Sequence, residues 1–246
     1  MAISLLNKTE YKISDTLTVF IPTLGQYRSE QREQYDVLMN LFMATPSNYM
    51  LQLHRAGIDF TKLGEYQFFL QLFATDYLWN ESQTDSKILF KDIDFKDLVV
   101  QETNGHIILC DKQGRTIIDE YTYLQVGALF CEVLNTKKFR KKPANKTAYD
   151  YFIELAEDKE RNSKRLRRKS ETEFDDLIIA MVCQQGFMYD FNTINTLTLY
   201  DFWCCVQQII KNNNYTNLMR GIYSGFGTVN PNKISQSELN YLSFRK

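Results

Sequence analysis

The stretch that decides the fold is Tyr35-Asp36-Val37-Leu38-Met39-Asn40-Leu41-Phe42-Met43. Tyr35, Leu38, Met39, Phe42 and Met43 are spaced i, i+3, i+4, i+7 and i+8, which places them on one face of a helix. The spacing therefore predicts an amphipathic helix that buries this face. Thr45-Pro46 follows directly and predicts the start of another short helix, because proline is tolerated at the first helical position.

Shorter patterns on both sides of this helix predict strands and further helices. Before it, residues 13–21 alternate apolar and polar side chains with period two, which predicts an N-terminal strand pair ending at Pro22. After it, residues 66–73 keep helical spacing. Asp111-Lys112-Gln113-Gly114 separates two apolar runs and predicts the turn of a mid-chain hairpin, followed by a helix from about Glu120 to Leu134.

The C-terminal third has the pattern of separate helices. Ser170-Glu171-Thr172-Glu173 reads as a capping box ahead of an apolar face over residues 174–182. A second box at residues 198–201 precedes another apolar face, which we expect to end at Asn212-Asn213-Asn214. We also expect short helices near residues 218–226 and from Ser235. Because glycine and proline are scarce, at 10 and 4 residues, a sandwich or barrel with many tight turns is disfavoured.

These patterns together predict a mainly helical α+β protein. The expected architecture is an amphipathic helix bundle with an N-terminal strand pair and a mid-chain hairpin. We expect three parts: an N-terminal α+β domain over residues 1–136, a basic linker or helix extension over 137–169, and a C-terminal helical domain over 170–246.

The linker has an unusual charge. Residues 137–169 hold thirteen basic and five acidic residues, a net +8, although the whole chain has a formal net charge of −1. Segregated charge of this size favours contact with another macromolecule. Three interpretations stay open: a solvated linker, a surface for an acidic protein, and a surface for nucleic acid. The low aromatic content disfavours stacking on single strands. The candidate partner-binding residues here are Lys164, Arg165, Arg167 and Arg168.

No motif for catalysis is visible, and we expect a protein that is not an enzyme. The two histidines, His54 and His106, lie in different predicted elements and lack a metal-ligand spacing partner, so we expect no metal or cofactor. Five cysteines, an odd number, predict buried thiols in a reducing cytoplasm. No apolar run is long enough for a membrane span, and the N-terminus has no secretory signal pattern.

The order of several segments resembles a known family. Val19-Phe20-Ile21-Pro22-Thr23-Leu24-Gly25-Gln26-Tyr27 and Ala44-Thr45-Pro46-Ser47 lie in the first part, with Gly57-Ile58-Asp59-Phe60. Leu199-Tyr200-Asp201-Phe202-Trp203 and Gly221-Ile222-Tyr223-Ser224-Gly225 lie near the end. In these segments the chain resembles the tail assembly chaperones of long-tailed, siphovirus-like phages of low-GC bacteria.

The resemblance implies a non-enzymatic role in tail assembly. Such a protein binds the tape measure protein, keeps it soluble in the host cytoplasm, and is absent from the finished virion. It also implies self-association. A chaperone of this kind needs an exposed apolar groove, which Met39, Met43, Met50, Phe68, Phe69 and Trp79 could line, although each alone suits a core. Trp79 and Trp203 complete the candidate partner-binding residues. The alternatives are a structural tail or capsid subunit and a nucleic-acid-binding protein.

Overall fold

The computed structural model describes residues 5–75, 84–103, 105–224, 234–235 and 239–242, and within these ranges the side chains of 163–173 are not described. The chain forms helices and two small antiparallel sheets, which confirms the predicted α+β class. The strands are β1 (Glu10–Lys12), β2 (Thr18–Phe20), β3 (Val99–Thr103), β4 (His106–Cys110) and β5 (Thr116–Ile118). The helices are α1 (Leu24–Tyr27), α2 (Arg32–Met43), α3 (Met50–Arg55), α4 (Glu65–Phe73), α5 (Lys87–Phe90), α6 (Glu120–Val133), α7 (Lys146–Val182) and α8 (Leu199–Tyr223). Short 3-10 helices cover Pro46–Tyr49, Phe95–Asp97 and Thr193–Thr196.

The predicted N-terminal strand pair is present, but β1 precedes the predicted residues 13–21 and only β2 lies within them. β1 and β2 are antiparallel, with Glu10 opposite Phe20. Leu17, Val19 and Ile21 are buried. Because side chains alternate between the two faces of a strand, these three residues share the face that packs on the core.

The mid-chain hairpin is confirmed and is part of a larger sheet. β4 and β5 flank a turn in which the Gly114 N–H donates to the Asp111 carbonyl at 3.0 Å and Gly114 has a φ of +77°. A third strand, β3, pairs with β4 in the order β3-β4-β5. β3 was not predicted, and its five residues are all exposed, so it lacks the buried face that an alternating pattern reports.

The predicted apolar face of α2 lies in the centre of the larger of two cores. The Phe42 ring centroid is 5.0 Å from that of Phe69 and 5.4 Å from that of Phe90, within the range of favourable aromatic pairs. We call this cluster the main core. It draws its buried side chains from α2, α4, α6, both sheets and the first half of α8.

α7 is continuous over 37 residues, which makes it about 55 Å long. Ile153, near its start, is buried in a second cluster, the small core, whose members are Ala44, Met50, Leu51, Leu53, Phe60, Phe68 and Ile153. Ile178 and Met181, near its end, are buried in the main core. The predicted helix start at residues 170–173 is therefore wrong: the preceding Lys-, Arg- and Glu-rich sequence favours helix and continues through it.

α8 is also longer than predicted. The expected break at Asn212-Asn213-Asn214 is wrong, as is the separate helix beyond it, because α8 runs unbroken to Tyr223. Asparagine in a helix costs only a few tenths of a kcal/mol. All three asparagines are exposed, so they bury no polar group and the cost does not end the helix. The short helix expected from Ser235 falls on residues 236–238, outside the described ranges.

Two segments that carried the family resemblance are hydrogen-bonded to each other. The Leu199 N–H donates to the Pro22 carbonyl at 2.9 Å, and the Leu24 N–H donates to the Leu197 carbonyl at 2.7 Å. Thr23 and Thr198 form an isolated antiparallel bridge between them. The three-part domain division stays a prediction, although this contact joins the first predicted part directly to the third.

Candidate partner-binding groove

The segment between α6 and α7, residues 134–145, is called the basic loop, and a buried lysine anchors it. The Lys138 side chain is only 8% exposed. Its ammonium group donates to Glu65 Oε2 at 3.4 Å and to the Tyr123 hydroxyl at 3.0 Å. Burial lowers the pKa of Lys138, and the Glu65 carboxylate partly offsets this effect. Lys138 therefore fixes the loop to α4 and α6 and does not offer its charge to solvent.

A second base of the loop uses the same carboxylate. Arg140 donates from Nε and from Nη2 to the two oxygens of Glu65, the latter at 3.0 Å. The hydrogen bond from Arg140 is the largest cause that holds the pKa of Glu65 below its ordinary value, and it raises the pKa of Arg140. Lys138 and Arg140 thus share one carboxylate, Lys138 from inside the fold and Arg140 from its surface.

Hydrogen bonds between the loop backbone and the Thr45 and Ser47 hydroxyl groups hold the middle of the loop at the start of the 3-10 helix Pro46–Tyr49. The Thr45 hydroxyl donates to the Phe139 carbonyl, and the Lys141 N–H donates to the Ser47 hydroxyl at 2.9 Å. With its backbone held in this way, Phe139 keeps its ring 38% exposed. The loop therefore presents a partly exposed aromatic ring, with Lys141 Nζ 5.7 Å from the ring centroid.

A groove of about 720 Å³ lies between the basic loop, α3 and α7. Its apolar lining comes from both helices and the loop, and consists of Met50, Leu51, Phe139, Phe152, Leu155 and Ala156. Leu155 is 39% exposed, close to the exposure of Phe139. Neighbouring large apolar side chains that stay partly exposed and are surrounded by polar groups are typical of an interaction surface. We call this feature the Phe139 groove.

Helical spacing explains why one side of α7 faces the groove. Phe152, Leu155, Ala156 and Lys159 are related by i, i+3, i+4 and i+7, so they form one stripe on α7. At the end of the stripe, the Arg55 guanidinium donates to both oxygens of Glu160, at 3.1 and 2.7 Å. This ion pair joins α3 to α7 and closes the end of the groove.

The rim of the groove is positively charged. Lys141 Nζ lies 5.1 Å from the ring centroid of Phe152 and 5.7 Å from that of Phe139, within cation–π range. Lys159, further along α7, also lines the groove and is exposed. Among the described lining residues the single carboxylate is Glu160, which is paired with Arg55. The groove thus combines an apolar floor with an unbalanced basic rim.

Three other clefts in the described part of the chain lack this combination. One, beside the start of α7, has two carboxylates, Asp59 and Asp150, among its lining residues. A second lies between α4, β4 and α6 and has exposed Tyr121 and Leu124, but its rim contains Glu120. A third is lined largely by Gln and Asn side chains from the α7–α8 connection and α8. The Phe139 groove is therefore the best candidate site.

The predicted partner-binding residues are elsewhere or outside the description. Lys164, Arg165, Arg167 and Arg168 belong to the helical backbone of α7, but their side chains are not described, and Trp79 lies outside the described ranges. Trp203 is half-buried, with its ring centroid 6.3 Å from that of Phe174, and it does not line the Phe139 groove.

The apolar residues proposed from sequence as groove lining are mostly core. Met39 and Phe69 are fully buried in the main core, Met43 packs against it, and Phe68 is buried in the small core. Only Met50 lines the groove. The usable signal was Phe139, the one aromatic residue of the basic loop, together with the α7 stripe.

The described residues add three further facts about chemistry. Within them, no three His, Cys, Asp or Glu side chains are grouped as a metal site requires. Cys110 is buried, but Cys183 is exposed, so the expectation that all the thiols are buried is wrong. None of the described helices has both the length and the apolar composition needed to cross a membrane.

Comparison with known proteins gives one similarity. A model of the family described as the YomV second domain matches residues 166–242, less than half of the chain. The family is phage-derived, which agrees with the phage origin that the sequence resemblance predicted. The matched residues include the end of α7 and all of α8. No curated protein and no solved structure matches the chain.

Proposed function

We propose that the protein is a phage tail assembly chaperone, which binds the tape measure protein and keeps it soluble during tail assembly. It acts by binding and not by catalysis, in the cytoplasm of the bacterial host. In this proposal the protein leaves before the virion is complete. The observation that carries the proposal is the Phe139 groove, a half-open apolar surface on a folded helical protein.

The groove suits this work for a physical reason. A long amphipathic client exposes apolar side chains that aggregate until the tail tube covers them. A chaperone must cover these side chains and later release them, which requires a surface of moderate size and affinity. Helix-lined grooves recognise amphipathic segments in this way. Many copies that each bind weakly would cover a long client, because linked weak contacts add in free energy.

Two further observations support the phage setting. The YomV second-domain similarity covers residues 166–242. In addition, the two resemblance segments around Pro22 and Leu199 form one hydrogen-bonded contact in the fold. These two segments lie far apart in the chain, share the resemblance and contact each other, so together they support the resemblance more strongly than either segment alone.

Self-association is part of the proposal, and β3 offers a surface for it. Among the described strands β3 pairs only with β4, so its other edge presents unpaired backbone groups. Val99 and Val100 on this strand are both about half exposed. β3 has no lysine or proline, and Glu102 is its single charge, so it has little of the usual protection against pairing with another strand.

Co-expression tests the proposal. The tape measure gene is expressed with and without this chain, and the soluble fraction of the tape measure protein is measured. We expect the chain to raise that fraction and to co-purify with the client. A client that aggregates equally in both cases contradicts the proposal.

Two other measurements separate the alternatives. Mass spectrometry of purified virions should not detect the chain, and its presence at stoichiometric amounts would instead identify a structural subunit. Retention on DNA at low salt that disappears when Arg165, Arg167 and Arg168 become alanine would identify a nucleic-acid-binding protein.

A further inference from the structure

We infer that the Phe139 groove binds an acidic amphipathic helix, with the apolar face of that helix on Phe152 and Leu155 and its carboxylates beside Lys141 and Lys159. This inference names the chemistry of the segment that the site recognises, and it rests on the proposed function for the identity of the client. It assigns a specificity to the groove that the chaperone role alone does not require.

The shape of the groove favours a helix as the occupant. Its walls are α3, α7 and the basic loop, and no β-strand edge borders it in the described structure. An extended peptide that bound here would leave its backbone groups without partners, whereas a helix satisfies its own. The α7 stripe from Phe152 to Lys159 is about 10 Å long, which matches two turns of a docked helix.

The positive charge of the groove rim favours a partner with negative charge. Lys141, from the basic loop, and Lys159, from α7, both line the groove and are both exposed. The lining carboxylate, Glu160, is held by Arg55. Lys138 is buried against Glu65, the mostly exposed Arg140 pairs with the same carboxylate, and neither lines the groove. The rim therefore has two lysines that an acidic partner would complement, while a basic partner would meet like charge.

The fold also explains why the lysines are placed for this purpose. Lys141 is positioned by its N–H bond to Ser47, and its ammonium group lies over the Phe152 ring. Lys159 is positioned by the same helix that presents Leu155. Because both lysines lie next to the apolar floor, a helix with one apolar face and acidic residues beside that face can contact the floor and pair with both lysines at once.

Peptide binding tests this inference. The probe is a fluorescein-labelled ~15-residue helical peptide with leucine at i, i+3, i+4 and i+7 and glutamate at the exposed positions. A matched peptide carries lysine in place of glutamate. Fluorescence anisotropy at low salt should show the acidic peptide binding at least about tenfold more tightly than the basic one. Equal affinity for the two peptides overturns the inference.

Charge reversal in the protein is the decisive test of the inference. The double variant Lys141→Glu, Lys159→Glu should bind the acidic peptide about tenfold more weakly and should gain affinity for the basic peptide. Leu155→Ser should weaken both peptides by a similar factor, because it removes apolar contact. Unchanged binding by these variants overturns the inference.

Matched controls keep the result specific. Lys96→Glu reverses an exposed charge outside the groove, and Ile210→Ser removes an exposed apolar side chain from α8. Both should leave peptide binding unchanged, and all variants should keep the helical circular dichroism of the parent. The gain of basic-peptide binding on charge reversal cannot arise from unfolding, so the test stands even if the double variant is less stable.

Two comparisons separate this inference from other outcomes. If a single-stranded oligonucleotide binds through the same lysines and the acidic peptide does not bind, the groove is a nucleic-acid site and the inference fails. If the double variant keeps the tape measure protein as soluble as the parent does, the inference fails while the chaperone function stands. If the peptide binds as expected but the parent does not solubilise the client, the function fails while the groove specificity stands.

Discussion

The ammonium nitrogen of Lys138 lies 3.0 Å from the hydroxyl oxygen of Tyr123 and 4.4 Å from the centroid of its ring. Tyr123 belongs to α6 and is fully buried in the main core. One lysine of the basic loop thus reaches into the fold and sets where the loop lies. The position of Phe139, the next residue, follows from this anchor, so stability and the geometry of the groove depend on the same contact.

Removal of the anchor should therefore destabilise the protein. Lys138→Ala leaves Glu65 without its buried partner and opens space beside Tyr123, and we expect it to lower the free energy of unfolding by about 2–4 kcal/mol. Arg140→Ala is the control, because that side chain is mostly exposed and its loss should cost less than about 1 kcal/mol. Urea denaturation measures both values, and equal small losses would show that Lys138 is not the anchor.

The same cluster should make stability depend on acid pH. The pKa of Glu65 is lower in the folded protein than its ordinary value of 4.5, chiefly because Arg140 hydrogen-bonds to the carboxylate. The folded state therefore binds this proton less readily than the unfolded state. The stabilisation is present above pH 4.5 and is lost as pH falls through the folded pKa.

Glu65→Gln isolates this contribution. The variant should be less stable than the parent at neutral pH, and its free energy of unfolding should fall less steeply with pH below 4.5. Urea denaturation over a pH series measures both slopes. Parallel curves for parent and variant would mean that Glu65 has the same pKa in both states.

Close packing of α2 on α6 should make Gly127 intolerant of a side chain. A Cβ at this position would lie 2.8 Å from the backbone oxygen of Phe42 and 3.0 Å from Lys138 Nζ. Although alanine favours helix, the backbone oxygen cannot move cheaply, and we expect Gly127→Ala to destabilise by about 1–3 kcal/mol.

A double variant shows which neighbour causes the effect. If the clash is with Phe42, the losses from Gly127→Ala and Lys138→Ala should add within about 0.5 kcal/mol. A double variant that is no less stable than Lys138→Ala alone would place the clash on the lysine. Thermal or urea denaturation of the four proteins completes the cycle.

Self-association through β3 should be sensitive to charge on that strand. Val100→Lys places a charge on the open edge strand, and we expect it to shift the protein toward monomer in sedimentation velocity. Ile107→Lys is the control: Ile107 is also exposed but lies on β4, the central strand of the sheet. A parent protein that is monomeric at all concentrations, or equal effects of both changes, would exclude pairing through β3.

Local patterns predicted much of the fold correctly. The apolar spacing in residues 35–43 predicted α2, and the Asp111–Gly114 turn predicted the hairpin of β4 and β5, because each signal is complete within a few residues. The strand β3 was missed because Val99–Thr103 is exposed throughout and so shows no alternation. The continuity of α7 was missed because the capping signal at residues 170–173 is weak compared with the packing that anchors this helix at both ends. The continuity of α8 was missed because asparagines inside a helix cost little when one end of the helix is packed in the core.

The site was only partly visible in the sequence. The basic stretch and its low aromatic content were recognised as features, but the predicted contact residues were those in the densest run of charge. The pairing of Lys138 with Glu65 spans 73 positions, and no local pattern reports it. The groove residues Leu51 and Leu155 likewise lie far apart in the chain and meet only because α3 and α7 pack together.

The sequence by itself determined the mainly helical class, the turns and the concentration of positive charge in residues 137–169, since periodicity and composition are local properties. Only the tertiary structure decided which of those charges are neutralised inside the fold and which stay on a surface beside exposed apolar side chains. The physical reason is that burial and ion pairing depend on distances between residues remote in the chain. Lys138 and Lys141 are three positions apart, yet one is an internal anchor and the other lies on the rim of a groove.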